Sequence, residues 1–166
     1  MPNVILQPCA NKGSQAHYHD TIETPVILND VSQFLSNNEI ETLKNIYPDG
    51  KMRVWGVTPG IDGRNIKRWE KIESGDITLF SAHNKIFASA ITTLKFQNKS
   101  LAAHLWEYDD KGMTWEYMYF ISEVFERILS NIQEFSRVSE DFQRKPWKFS
   151  TLSSRSTEPT TRSHRC

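Results

Sequence analysis

Residues 76–96 carry two apolar runs joined by His83-Asn84, and each run is apolar on both of its faces. In the first, Ile77 and Leu79 oppose Phe80; in the second, Ile86, Ala88 and Ala90 oppose Phe87 and Ile91. Successive side chains of a strand point to opposite sides of its sheet. A sheet with one wet face would leave a row of these side chains in water. The two strands are therefore predicted to lie in the middle of a curled sheet or small barrel, with His83-Asn84 as the tight connection between them.

The rest of the chain supplies shorter elements around that pair. An apolar run over residues 3–6 is stopped by Pro8 and reads as a first strand. Asn11-Lys12-Gly13-Ser14 has turn composition, with Ser14 placed to cap a short helix running through His19 to Ile22. Residues 24–28 are read as extended because Pro25 forces its predecessor out of the helical region. Asn37-Asn38-Glu39 opens a helix with Ile40, Leu43 and Ile46 on one side, ended by Tyr47-Pro48-Asp49-Gly50. Met52 and Val54 then alternate with Arg53 and Trp55, so the tryptophan points away from the Met52/Val54 face. A short basic helix is expected over residues 66–72, with Ile66, Trp69 and Ile72 inward. A helical turn follows over 100–106, a turn over 109–112 and a β-prone run over 114–121. Ser122 and Glu123 are read as the start of a helix containing Phe125, Ile128, Leu129 and Ile132. A second helical stretch is expected over 133–142 and a last strand at Trp147-Lys148-Phe149. Beyond Leu152 the chain is Ser, Thr, Arg and Pro with nothing apolar before Cys166, which predicts one folded domain over 1–152 and a disordered tail or linker over 153–166.

At 166 residues the chain has room for one domain with a real core. Lys+Arg and Asp+Glu both number 20, so any binding to nucleic acid has to come from a local patch and not from a global positive field. Cys9 and Cys166 lie at opposite ends of the chain and form no metal-type pair, which suits a reducing compartment. No basic leader with a long apolar run begins the sequence, and no window approaches the roughly 18 apolar residues of a membrane span. A soluble, cytoplasmic protein is the expectation.

Three tryptophan-bearing segments surround the strand pair: residues 54–58 (Trp55), 105–107 (Trp106) and 114–120 (Trp115). Large planar side chains converging on one cavity can sandwich a nucleobase. Trp69 fits a core role, whereas Trp55 and Trp106 sit at element ends beside polar turns, where binding residues gather. Arg53, Arg64, Lys67, Arg68 and Lys71 lie near Trp55 in sequence and, with Lys12, would make a phosphate-contacting rim; alone they would read as a solvated face. His17-Tyr18-His19-Asp20 is compact, but alternate residues on a helix diverge and no second cluster adds ligands, so neither metal nor cofactor is expected. The sequence holds no phosphate-binding glycine loop, nucleophile elbow or His-Glu-x-x-His, and an enzyme is the weaker reading.

Val54-Trp55-Gly56-Val57-Thr58, Asn65, Trp69-Glu70-Lys71-Ile72, Gly75-Asp76-Ile77-Thr78-Leu79-Phe80, Ile86-Phe87-Ala88-Ser89-Ala90, Leu105-Trp106 and residues 115–120 follow one another in an order that resembles the EVE/YTH group of the PUA-like superfamily. The likeness spans residues 3–120 and is nearest to EVE-like modules that precede nuclease or motor domains in bacterial modification-dependent restriction proteins. It implies an α+β fold, a small curled β-barrel flanked by helices, holding one flipped-out modified base in an aromatic cage. By this resemblance Trp55 and Trp106 are the two cage rings and Met113 is the third wall. Gln7, Cys9 and Asn11 supply polar contacts to the base. The sequence departs from the YTH pattern at those three, so which of them points inward is left open.

The function so implied is recognition of a modified base in DNA in the service of a restriction system, with a nuclease or motor domain or subunit as partner and no membrane. A free-standing reader of modified RNA is the alternative. A hydrolase of modified nucleosides is a third reading, for which Glu116 is the one carboxylate on a face shared with Met118 and Phe120.

Overall fold

The computed structural model describes residues 2–129 and 149–151. In chain order these form β1 (Val4–Pro8), α1 (Lys12–Tyr18), a π-helical stretch (His19–Glu23), β2 (Val26–Ile27), α2 (Leu28–Val31), a 3-10 turn (Ser32–Phe34) and α3 (Asn37–Ile46). There follow β3 (Lys51–Val57), a 3-10 turn (Ile61–Gly63), α4 (Arg64–Trp69), β4 (Ile77–Ala82), β5 (Lys85–Gln97), α5 (Lys99–Trp106), β6 (Tyr117–Ile121), β7 (Phe125–Leu129) and β8 (Phe149–Thr151).

The strands form one mixed sheet in the order β2-β3-β6-β5-β4-β1-β8, with β7 also paired to β5. β1 runs parallel to β4 and β8, and the other pairings are antiparallel. The sheet curls strongly. β3 and β4 are separated by β6 and β5, three spacings or about 14 Å if flat, yet the rings of Trp55 and Phe80 lie 5.2 Å apart. Tyr119 on β6 likewise reaches Gln7 on β1, its hydroxyl 3.4 Å from Gln7 Oε1. The curl does not close into a barrel, because no ladder among the described residues joins β3 to β1 or β8. Instead the π-helical stretch that continues α1 lies along the free edge of β3, where Thr21 Oγ1 donates to the Val54 carbonyl (2.7 Å) and Arg53 Nε donates to the Ile22 carbonyl (3.1 Å).

Strand alternation divides the core in two. Ile5, Trp55, Val57, Phe80, Ala88, Ala90, Tyr119 and Ile121 fill the inside of the curl, plugged by Tyr18 and Ile22. Met52, Val54, Met118 and Phe120 face outward and are covered by Val31, Leu43, Leu101 and Trp106 of the helices. The strand pair 76–96 is covered on both faces over much of its length, with two departures from the expected faces: Ile91 is 40% exposed, and a register shift at Phe87 turns that ring into the curl beside Ala88 while Ile86 joins Leu79 on the outer side. His83 and Asn84 have φ of 50° and 61°, the pair of left-handed residues that a two-residue hairpin of matching twist uses.

Four local readings are corrected. Ser14 does not cap α1; Asn11 does, its side chain accepting from the Ser14 N–H at 2.8 Å. The extended stretch after Pro25 is only two residues long, because α2 begins at Leu28. The helix at the basic segment ends at Trp69, although Ile72 beyond it is buried. Residues 125–129 are a strand and not a helix. The 13-residue β5 extends past β6 and offers a free edge, and Ser122 carries the chain onto it by bonding both the N–H and the carbonyl of Ile91. The expected helix positions at 132–142, Trp147 and the tail over 153–166 lie outside the described residues.

Candidate nucleic-acid interface

The predicted base-contacting residues fall into two groups on opposite sides of β3. Gln7, Cys9 and Trp55 are together inside the curl, with exposures of 0%, 1% and 1%. Cys9 Sγ donates to the Ser14 carbonyl at 3.2 Å, and burial pushes its thiol up to about 11, so it is a neutral group. The Trp55 indole N–H finds no protein partner there. Asn11 stands just outside as the cap of α1.

Trp106 lies on the other face, which corrects the expectation of a Trp55–Trp106 sandwich. Alternation sends Trp55 inward and clears the outer face at its neighbour Gly56, and Trp106 packs onto that cleared backbone. A Cβ on Gly56 would sit 2.7 Å from Trp106 Cζ3 and would fall on the Trp115 carbonyl oxygen. Trp106 ends α5, whose start is fixed by Asn98. That side chain accepts from the Leu101 N–H (2.8 Å) and donates to the Phe34 carbonyl (2.7 Å), while its backbone N–H donates to the Glu116 carbonyl (3.0 Å). One residue thus registers α5 against the chain that carries Trp115.

His17 completes a three-ring cluster. Its ring is 4.2 Å from Trp115 edge-on and 5.7 Å from Trp106 at a 36° tilt. Neighbours on a helix diverge by about 100°, so α1 sends Tyr18 into the curl against Phe80 and Phe87 while His17 meets the tryptophans. Burial holds the imidazole down to about 4, against the opposing pull of Asp20, and it is neutral near pH 7. Thr114 is buried beside this cluster in sequence, and its hydroxyl and the Trp106 N–H have no protein partner. His17, Thr114 and Gly56 are not among the site residues expected from the sequence, where His17 stands only as a candidate metal ligand. The readable signal was Gly56, since a lone glycine in a strand marks close approach of another backbone or ring.

Met113 is half-buried in the turn after Trp106, where its N–H donates to the Asp109 carboxylate at 2.8 Å. Lys12, Arg64 and Lys67 are exposed, and Arg68 is half-buried. The Asn65 side chain donates to the Thr58 carbonyl at 3.1 Å, which holds the basic helix α4 to the end of β3, two residues from Gly56. Arg53 is spent on the Ile22 carbonyl. Trp69 is partly buried and donates its N–H to the Met118 carbonyl at 3.0 Å, and Lys95 caps α4 by donating to the carbonyls of Trp69 and Glu70. Glu116 is half-buried. Among the described residues no group of three His, Cys, Asp or Glu could hold a metal, and no helix is long and apolar enough to cross a membrane.

No protein-family model matches the chain, and no curated protein sequence does. Among solved structures it is similar to the N-terminal domain of Thermococcus gammatolerans McrB bound to m5C DNA, over 81% of each chain, with a TM-score of 0.52 and 15% identity. The chain shares the fold of this McrB domain. The α+β architecture read from the sequence is met at the level of fold, with the sheet curled but left open.

Proposed function

We propose that this chain is a DNA-binding module that reads a modified base, with the base stacked at the His17–Trp106–Trp115 cluster and the phosphates met by Lys12, Arg64 and Lys67. The observation that supports it best is the three-ring cluster itself, built on Gly56 beside a basic helix, in a fold shared with a domain solved on m5C DNA. Stacking on aromatic faces contributes about 1–3 kcal/mol per base, enough to offset the few kcal/mol of flipping a base from the duplex. An added methyl in a snug apolar site contributes on the order of 1 kcal/mol, so selectivity for the modification is several-fold and not absolute. With no net charge the module binds weakly alone and gains from attachment to a nuclease or motor partner in a restriction assembly. Cleavage, in this reading, belongs to that partner.

The test is fluorescence anisotropy on matched duplexes carrying 5-methylcytosine, N6-methyladenine or no modification, with an RNA of the same sequence. Several-fold tighter binding to one modified duplex is expected, with the difference reduced to near unity in Trp106→Phe, which keeps a ring but loses stacking area and the N–H. Replacing Arg64 and Lys67 by alanine should weaken all duplexes alike and lower the salt dependence by about one counterion each. Equal affinity for modified and plain duplex rejects the proposal, and preference for the RNA supports the alternative reader of RNA.

A further inference from the structure

The loop that joins Trp106 to Trp115 holds an aromatic ring out in water. Both ends of the loop rest on Gly56, where an added Cβ would meet Trp106 Cζ3 at 2.7 Å and Trp115 Cβ at 2.9 Å. Between them Tyr108 is 55% exposed, although Trp106 two residues earlier is only 7% exposed. A tyrosine brings a large, stiff contact area to an interface at low entropic cost.

The backbone that turns this ring outward is strained. Glu107 follows the last residue of α5 with φ of 62° and ψ of −161°. Helices often end on a left-handed residue, but that conformation has ψ of about +47°. Glu107 lies instead in a region that essentially glycine alone occupies, and residues so placed gather at active sites and ligand clamps. Its N–H is held by the Ala103 carbonyl at 3.0 Å. On the far side of Tyr108, the Asp109 carboxylate accepts from the N–H groups of Lys111 and Met113 (2.9 and 2.8 Å), and the Asp109 N–H donates to the Met113 carbonyl (2.8 Å). The chain is therefore fixed on both sides of the ring.

The surrounding charge selects what the ring meets. Lys99 Nζ lies 6.0 Å from its centre, and Glu107 and Asp110 are exposed near it in sequence. Two free carboxylates repel phosphate, whereas any nucleobase offers a neutral π-face that stacks on tyrosine.

We propose that Tyr108 is a second stacking platform, which takes a nucleobase left exposed beside the one read at the tryptophans, and that the strain at Glu107 is kept to hold the ring in place. This rests on the reading of the chain as a module that flips a base, since extrusion leaves its neighbours in the duplex without a stacking partner.

Binding of the full chain to the modified and plain duplexes is measured by anisotropy across a salt series, beside urea midpoints. Tyr108→Ala should keep the parent's midpoint, weaken the modified duplex about tenfold and leave the salt slope unchanged, because stacking releases no counterions. Tyr108→Phe keeps the ring and should bind within about twofold of the parent. Glu107→Gly relaxes the backbone, so it should raise the midpoint and yet weaken binding several-fold. Glu107→Gln removes the same charge but keeps the strain, and should leave the midpoint in place with binding no weaker. A merely structural role moves stability and affinity together. Tyr108→Ala binding within about twofold of the parent, a loss accompanied by a lower salt slope, or a Glu107→Gly midpoint and affinity that move in the same direction overturns the platform. An equal loss in Tyr108→Ala on both duplexes, from a parent that never distinguished them, overturns modified-base reading and leaves the platform standing. A parent that retains neither duplex overturns both.

Discussion

Replacing Gly56 by alanine is expected to destabilise the fold by about 3 kcal/mol or more, the upper range for forcing one extra carbon into a packed interior. The added Cβ would fall on the Trp115 carbonyl oxygen and sit 2.7 Å from Trp106 Cζ3. Neither neighbour is free to yield. The chain after Trp115 is held by the bond from the Asn98 N–H to the Glu116 carbonyl, and the same Asn98 caps the helix that ends in Trp106. Gly50 provides the internal comparison. It has φ of +71°, and a Cβ added there would meet nothing within 4 Å, so Gly50→Ala incurs only the backbone cost of a left-handed residue, about 1 kcal/mol. Urea denaturation of the two variants checks the contrast. A Gly56→Ala midpoint no lower than that of Gly50→Ala would mean that Trp106 and Trp115 do not press on β3 as described.

The two-faced apolarity of residues 76–96 was enough to specify a curled sheet, because strand alternation is a local rule and leaves no other place for Phe80 and Leu79 together. The same rule separated Trp55 from Met52 and Val54. It could not pair Trp106 with Trp55, since which face of β3 receives α5 depends on Asn98 fixing that helix against Phe34 and Glu116, a contact among distant segments. Phe125, Ile128 and Leu129 have helical spacing, and the free edge of β5 overrode it. His17 looked like half of a metal motif because sequence shows the neighbours His19 and Asp20 but not the tryptophans that the fold brings to it. Its partner set is visible only once the π-helical stretch that continues α1 is known to lie along the free edge of β3.

Acid should weaken the fold through His17 in particular. Burial lowers this imidazole from its ordinary 6.5 to about 4, with Asp20 opposing. The folded protein therefore keeps His17 neutral between those values while the unfolded chain takes up a proton. Stability rises with pH wherever the unfolded state binds more protons, so the contribution is fully present above pH 6.5 and is lost progressively as pH falls toward 4. The loss is on the order of 3 kcal/mol. Carboxylates titrate in the lower part of the same window, and His17→Phe isolates the histidine by keeping a ring against Trp115 without a titrating nitrogen. Urea midpoints at pH 7, 6, 5 and 4.5 should fall more steeply in the parent protein than in the variant, with the gap opening below about pH 6.5. A parent protein and variant with superimposable pH profiles would show that His17 is already in contact with water.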